Sequence, residues 1–225
     1  MTRRTSSQMA FLRQSEIRNM TLECVKASGI NLSQGVCDTQ VPEPVRAGAA
    51  EAMVQGVNTY TRYDGLRDLR EAIARKVLRD NGAVIDPESE VVVTSGATGA
   101  FYAACSALFD AGDEVALFEP YYGYHLDTLR ALSLTPRFVP LVAPAWSFSV
   151  ESLRRAIGPK TRAIVINTPG NPSGKVFARA ELEFQAARFS RAAAGTTYYV
   201  SAMPSARPSS LRPAGTSTHS AASRF

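Results

Sequence analysis

Apolar positions along this chain follow two alternating rhythms. Helical spacing appears first over 15–26, with Ser15 as the N-cap candidate and Gly29 beyond the end. It returns over 42–55, where Pro42 and Pro44 stand early enough to be tolerated. The strongest helical pattern covers 66–80. Leu66, Leu69, Ile73, Val77 and Leu78 mark one face, Arg70 and Lys76 fall on the expected wet side, and Asn81-Gly82 supplies the stop. A short extended piece is expected over 30–33. Further on, helices are expected over 99–109, 124–132 and 150–157, interleaved with strands over 90–94, 115–118, 137–141 and 163–166. Strands alternating with helices predict an α/β fold with a mostly parallel sheet. Four strands make a small sheet, expected to leave an edge or a face uncovered.

The rhythm stops near residue 194, and composition changes with it. After Glu183 there is no Asp, Glu or Lys, and Ala, Ser, Thr, Pro and Gly make up 27 of the last 42 residues. Such a segment buries too little apolar area to offset the entropy of ordering. It is the composition that a GC-rich gene yields out of frame. The expectation is therefore an N-terminal arm over 1–40, an incomplete large domain over 41–183, and a disordered, frameshifted tail over 184–225. An Arg-rich interaction tail is the alternative.

Charge follows the same division. The net charge of +5 arises from 25 basic and 20 acidic side chains, and five of the arginines lie beyond Glu183. The body is neutral, so the basic balance is poor evidence for a nucleic-acid partner. Three scattered cysteines without a C-x-x-C, and only two histidines, argue against a zinc site and fit a reduced, cytoplasmic compartment. No apolar run approaches the ~20 residues that span a bilayer. The N-terminus lacks an apolar h-region, which argues against a secretory signal and leaves an organelle transit peptide as the alternative.

Candidate chemistry gathers at strand ends. The loop N-T-P-G-N-P-S-G-K-V follows the run 163–166 and holds Asn171 between Pro169 and Pro172. The turn S-G-A-T-G carries Gly96, Ala97 and Thr98 from the expected 90–94 strand into a helix, an arrangement that suits phosphate. E-P-Y-Y-G-Y places Tyr121, Tyr122 and Tyr124 where an aromatic can stack on a planar ring or simply cap the core. A dinucleotide fold is a competing reading of the glycine turn, with Glu119 as a ribose-binding acid. Against it, Tyr102 stands where the third glycine belongs, and no Tyr-x-x-x-Lys pair exists.

Taken in order, I-N-L-S-Q-G, N-T-Y-T-R-Y-D-G-L, L-R-E-A-I, S-G-A-T-G-A, E-P-Y-Y-G-Y and N-T-P-G-N-P-S-G-K-V-F resemble the class I/II aminotransferase family of fold type I. The resemblance covers about 30–183 and is nearest to the aspartate, kynurenine and methionine branch. It implies the cofactor pyridoxal 5′-phosphate (PLP) and amino-group transfer from an amino acid to a 2-oxo acid. It implies that Gly96, Ala97 and Thr98 contact the cofactor phosphate and that Tyr122 stacks on its ring. It further implies that Asn171 bonds the ring oxygen and the substrate carboxylate, and that Gly35 faces the substrate. Tyr60 is implied to reach the neighbouring subunit's phosphate, hence a homodimer. The family also needs an Asp for the ring nitrogen and a Schiff-base lysine further along. None of the four lysines, Lys26, Lys76, Lys160 and Lys175, lies beyond the loop, and no D-E-x-Y or S-x-S-K segment follows. Lys175 itself is read as a solvated loop lysine. The expectation is a truncated, marginally stable form with no catalytic residue and weak PLP binding. A non-catalytic relic of the PLP site or an interaction protein is the alternative.

Overall fold

A computed structural model describes residues 6–8, 12, 15–35, 39–192 and 198–202. Helices α1 (Glu16–Lys26), α2 (Glu43–Val54) and α3 (Arg67–Asn81) come first. Then follow α4 (Gly96–Leu108), β1 (Glu114–Glu119), α5 (Gly123–Ala131), β2 (Thr135–Pro140), α6 (Val150–Ala156) and β3 (Thr161–Asn167). Helix α7 (Arg179–Ala192) and strand β4 (Tyr198–Ala202) complete the described part.

The four strands form one parallel sheet in the order β2-β1-β3-β4. Strands β1 and β3 are unbroken apolar runs because both of their faces are buried. Alternation sends Val115, Leu117, Ala163 and Val165 to one side, against Phe101 and Cys105 of α4 and Leu129 of α5. Ala116, Phe118, Ile164 and Ile166 face the other side, against Leu153 and Ala156 of α6, with Leu182 and Phe184 of α7 packed alongside. The result is three layers, helix, sheet and helix. Local capping supports it. The Ser149 hydroxyl accepts the Ser152 amide at 2.9 Å to start α6, and Gly82, with φ 70°, ends α3 in the left-handed conformation.

The structure corrects three expectations. First, 90–94 is not a strand. The Val93 amide donates to the Asp64 carbonyl at 2.9 Å, so this apolar run docks on the preceding loop instead of joining a ladder. Second, Arg70 is fully buried, whereas Leu66, Leu69 and Leu78 of the expected core face are exposed. The guanidinium tolerates burial because Gly65 and Pro87 carbonyls and the Asp64 and Glu88 carboxylates all face it. Third, order does not end at 183, the boundary expected between the large domain and the tail. Helix α7 runs through it, and β4 adds a strand beside β3. Both faces of β1 and β3 are covered, and the edge strand β2 stays largely exposed, the uncovered edge expected of so small a sheet. The remainder of the expected tail, 193–197 and 203–225, lies outside the described residues.

Candidate functional site

The strand order creates the site. From β1 the chain turns to α5 and β2 on one side; from β3 it turns to α7 and β4 on the other. The two loops therefore part above neighbouring strands and leave a crevice at the carboxyl edge, where open α/β sheets bind ligands. The crevice is shallow and open to solvent. Leu117 and Val165 contribute apolar lining, Tyr121, Tyr122 and His125 line it from the β1 side, and Asn167, Asn171, Ser173 and Lys175 from the β3 side.

Of the residues singled out in the sequence, Tyr122 and Asn171 meet here. The ring of Tyr122 is half-buried and packs edge-on to His125, centroids 5.4 Å apart. His125 in turn packs on Phe101 of α4 at 4.5 Å, and burial pushes its pKa down. Gly96, Ala97 and Thr98 do not line the crevice. They form the exposed first turn of α4, whose N-cap Ser95 makes no side-chain cap. The Gly96 amide donates to the Thr94 carbonyl at 2.8 Å; the amides of Ala97 and Thr98 lie in the first turn, where a helix gives its donors no partner of its own. Through Phe101 and His125 the same helix is tied to the Tyr122 side of the crevice. Tyr60 is fully exposed, and Gly35 is exposed with open space around it; neither lines the crevice.

The Asn171 loop owes its shape to glycine. A Cβ on Gly170 would lie 2.7 Å from the Ser173 hydroxyl. The Gly170 amide donates to the Lys175 carbonyl at 2.8 Å, and the Gly174 amide to the Gly170 carbonyl at 2.7 Å, so the loop closes on itself. Lys175 contradicts its reading as a solvated loop residue. Its side chain is 12% exposed, pairs with Glu181 at 2.9 Å and lies over the Phe177 ring. Sequence spacing missed it, together with Asn167 and His125, because lysine in a Pro/Gly loop carries no periodic sign of burial. The 58–65 loop is also better anchored than its polar sequence suggests. Asp64, buried, accepts from Arg62 at 2.7 Å and lies 3.3 Å from Arg70. A Cβ on Gly65, at φ +101°, would meet Val93 at 2.7 Å.

Comparison with known proteins agrees with this architecture. The family described as "Aminotransferase class I and II" matches residues 27–192. A probable N-succinyldiaminopimelate aminotransferase of Mycobacterium tuberculosis is 39% identical over 165 residues, covering 72% of this chain and 42% of that protein. The methionine aminotransferase of Escherichia coli is 36% identical over 152 residues, 68% of this chain and 39% of that protein. A crystal structure of an Escherichia coli protein with methionine aminotransferase function superposes with a TM-score of 0.81 at 30% identity, over 88% of this chain and 51% of the other. The chain thus spans about half or less of the length of these relatives. The dinucleotide-fold reading falls with the missing 90–94 strand and with these matches. No helix among the described residues is long and apolar enough to cross a membrane.

Proposed function

The chain belongs to the class I and II aminotransferase family, and from that premise we propose that the crevice between β1 and β3 receives the ring of PLP for amino-group transfer between an amino acid and a 2-oxo acid. The observation that carries the reading is the convergence of Tyr122 and Asn171, from the ends of two neighbouring strands, on one crevice. Tyr122 offers its face to a planar ring. The Asn171 amide can donate to a ring oxygen and to a substrate carboxylate. The first turn of α4, without a side-chain cap, would bring the amides of Ala97 and Thr98 to the phosphate, with Gly96 shaping the turn through its own bond to the Thr94 carbonyl.

The donor set fits the ring only in part. Aromatic, carboxamide and cationic groups line the crevice, but among the described residues no Asp or Glu does. When bound, PLP supplies an electron sink for the bonds at the substrate's α-carbon, and it does so best with its ring nitrogen held protonated by an acid. Among the described residues no such acid lines the crevice, and the sequence holds no lysine beyond Lys175. The reading for this polypeptide is weak, reversible binding without turnover.

A homodimer and a cytoplasmic location are parts of the same proposal. Fully exposed Tyr60, available to a second copy, and the absence of buried residues on α1 and α2 support the first. The free thiols of Cys24 and Cys105 support the second. Gly35, in the same exposed N-terminal region, would present its backbone to substrate in that assembly. The exposed Ile17, Met20, Val25, Val54 and Leu69 also favour a second reading, a non-catalytic interaction protein. Equilibrium dialysis against PLP separates the two. Saturable binding that weakens in Tyr122→Leu and in Asn171→Ala supports the PLP site. Absence of binding by the wild type refutes it and leaves the interaction reading.

A further inference from the structure

The charge of the crevice comes from one side chain. Among the described residues that line it, Lys175 is the sole Lys or Arg, and no carboxylate lines it. Its side chain is 12% exposed, against 71% for Lys26 and 61% for Lys76. An ammonium leaves water only when paired. Glu181 provides the pair, accepting from Nζ at 2.9 Å. The other Glu181 oxygen accepts the Ala178 amide at 2.7 Å, which fixes the carboxylate at the start of α7. Burial pushes the Glu181 pKa up. The bonds from Lys175 and Ala178 outweigh that and hold it below the usual value, so the carboxylate is charged at neutral pH. Phe177 lies with its centroid 5.4 Å from Nζ, a favourable place for a cation. An ammonium has three N–H donors. One goes to Glu181, and among the described residues no other group accepts from Nζ.

We infer that Lys175 is the anion anchor of the crevice. Its two unspent N–H donors bind the ring oxyanion of a planar ligand stacked on Tyr122, and it works as a cation and not as an amine nucleophile. Nucleophilic use would require breaking the pair with Glu181 and leaving that carboxylate uncompensated. The inference rests on the reading that a PLP-like ring occupies the crevice. It adds a second, charged partner for the ring oxygen beside Asn171.

Pyridoxine 5′-phosphate is the suitable probe, because it keeps the ring hydroxyl and phosphate but has no aldehyde to react with amines. Binding is read by dialysis and by the fluorescence of Trp146, the single tryptophan, which packs against the same core cluster as Phe177. Lys175→Met is expected to weaken binding by about tenfold or more, the loss of a charged hydrogen bond. Lys175→Arg should stay within about threefold, since the charge remains. The same loss should appear with pyridoxine, which has no phosphate. If Lys175→Met does not fold, Lys175→Gln reads the same quantity.

The possible failures are distinct. Unchanged binding in Lys175→Met, with weakening in Tyr122→Leu, overturns the inference and leaves the ring site standing. No binding by the wild type overturns both. A loss confined to the phosphorylated probe assigns Lys175 to the phosphate and overturns it. Stoichiometric labelling of Lys175 after PLP and borohydride, mapped by mass spectrometry, shows an amine nucleophile and overturns it as well.

Discussion

Gln185 is the most informative position to change. It lies in α7, two residues past the expected boundary, and is fully buried. Neither its Oε1 nor its Nε2 finds a hydrogen-bond partner among the described residues. Its helix neighbours Leu182 and Phe184 pack on the core beneath the sheet. An amide buried without a partner costs about 1–3 kcal/mol in proteins. Leucine has nearly the same volume and no polar atom to desolvate. Gln185→Leu should therefore stabilise the fold by about 2 kcal/mol. With a urea dependence of about 2 kcal/mol/M for a small domain, the unfolding midpoint should rise by roughly 1 M at unchanged slope. Gln185→Glu should move it the other way, because a carboxylate would enter the same unpaired site. The measurement is urea unfolding followed by circular dichroism. A midpoint for Gln185→Leu equal to or below wild type would show that the amide is partnered in solution, and the reasoning would be wrong.

Three further outcomes follow from the same contacts. Arg70→Met should destabilise by about 1–3 kcal/mol, because it removes one of the two guanidinium partners of buried Asp64, leaving only exposed Arg62, and leaves the Gly65 and Pro87 carbonyls without their donor; a thermal melt close to wild type would contradict it. Gly65→Ala should cost about 1–3 kcal/mol, since the residue sits at φ +101° with Val93 in the way. Val93→Ala in the same chain should relieve only the clash with Cγ2, since alanine keeps the Cβ that lies 2.7 Å away, and a double-mutant unfolding series measures that share. His125 has its pKa lowered below the ordinary 6.5 by burial. Its contribution to stability is therefore complete above about pH 6.5 and is lost as pH falls and the unfolded chain takes up the proton. His125→Phe should flatten the stability profile between about pH 5 and 7, and an unchanged slope would refute the assignment.

Much of the sheet was legible because its signals are local. Strands β1 and β3 are short β-branched and apolar runs bounded by turn residues, and such a run reads as a doubly buried strand wherever it occurs. Helix α3 was legible through its Leu/Ile/Val spacing and the glycine stop. Which side of α3 is buried was not, because exposure depends on what packs against it. The run 90–94 carries strand composition yet bonds to a loop, since strand pairing requires a neighbour and β2 and β4 form the edges of this sheet. Strand β4 was missed for the converse reason: Tyr198–Ala202 is weakly patterned by itself and gains its place from β3.

The site divides along the same line. Sequence by itself determined the chemistry on offer: an aromatic after β1, an asparagine held by prolines after β3, and a glycine turn opening α4. Those are properties of neighbouring residues along the chain. Only tertiary structure decided which of them share a space. The order β2-β1-β3-β4 puts the loops of Tyr122 and Asn171 over one crevice, and Gly96, Ala97 and Thr98 do not line it. Tertiary structure also decided the two buried cations. Arg70 and Lys175 look like surface residues in any reading by type. Each is shielded because distant groups converge on it: Asp64, Pro87 and Glu88 on the guanidinium, Phe177 and Glu181 on the ammonium. Burial of a charge is a property of the surroundings, and the surroundings come together only when the chain folds.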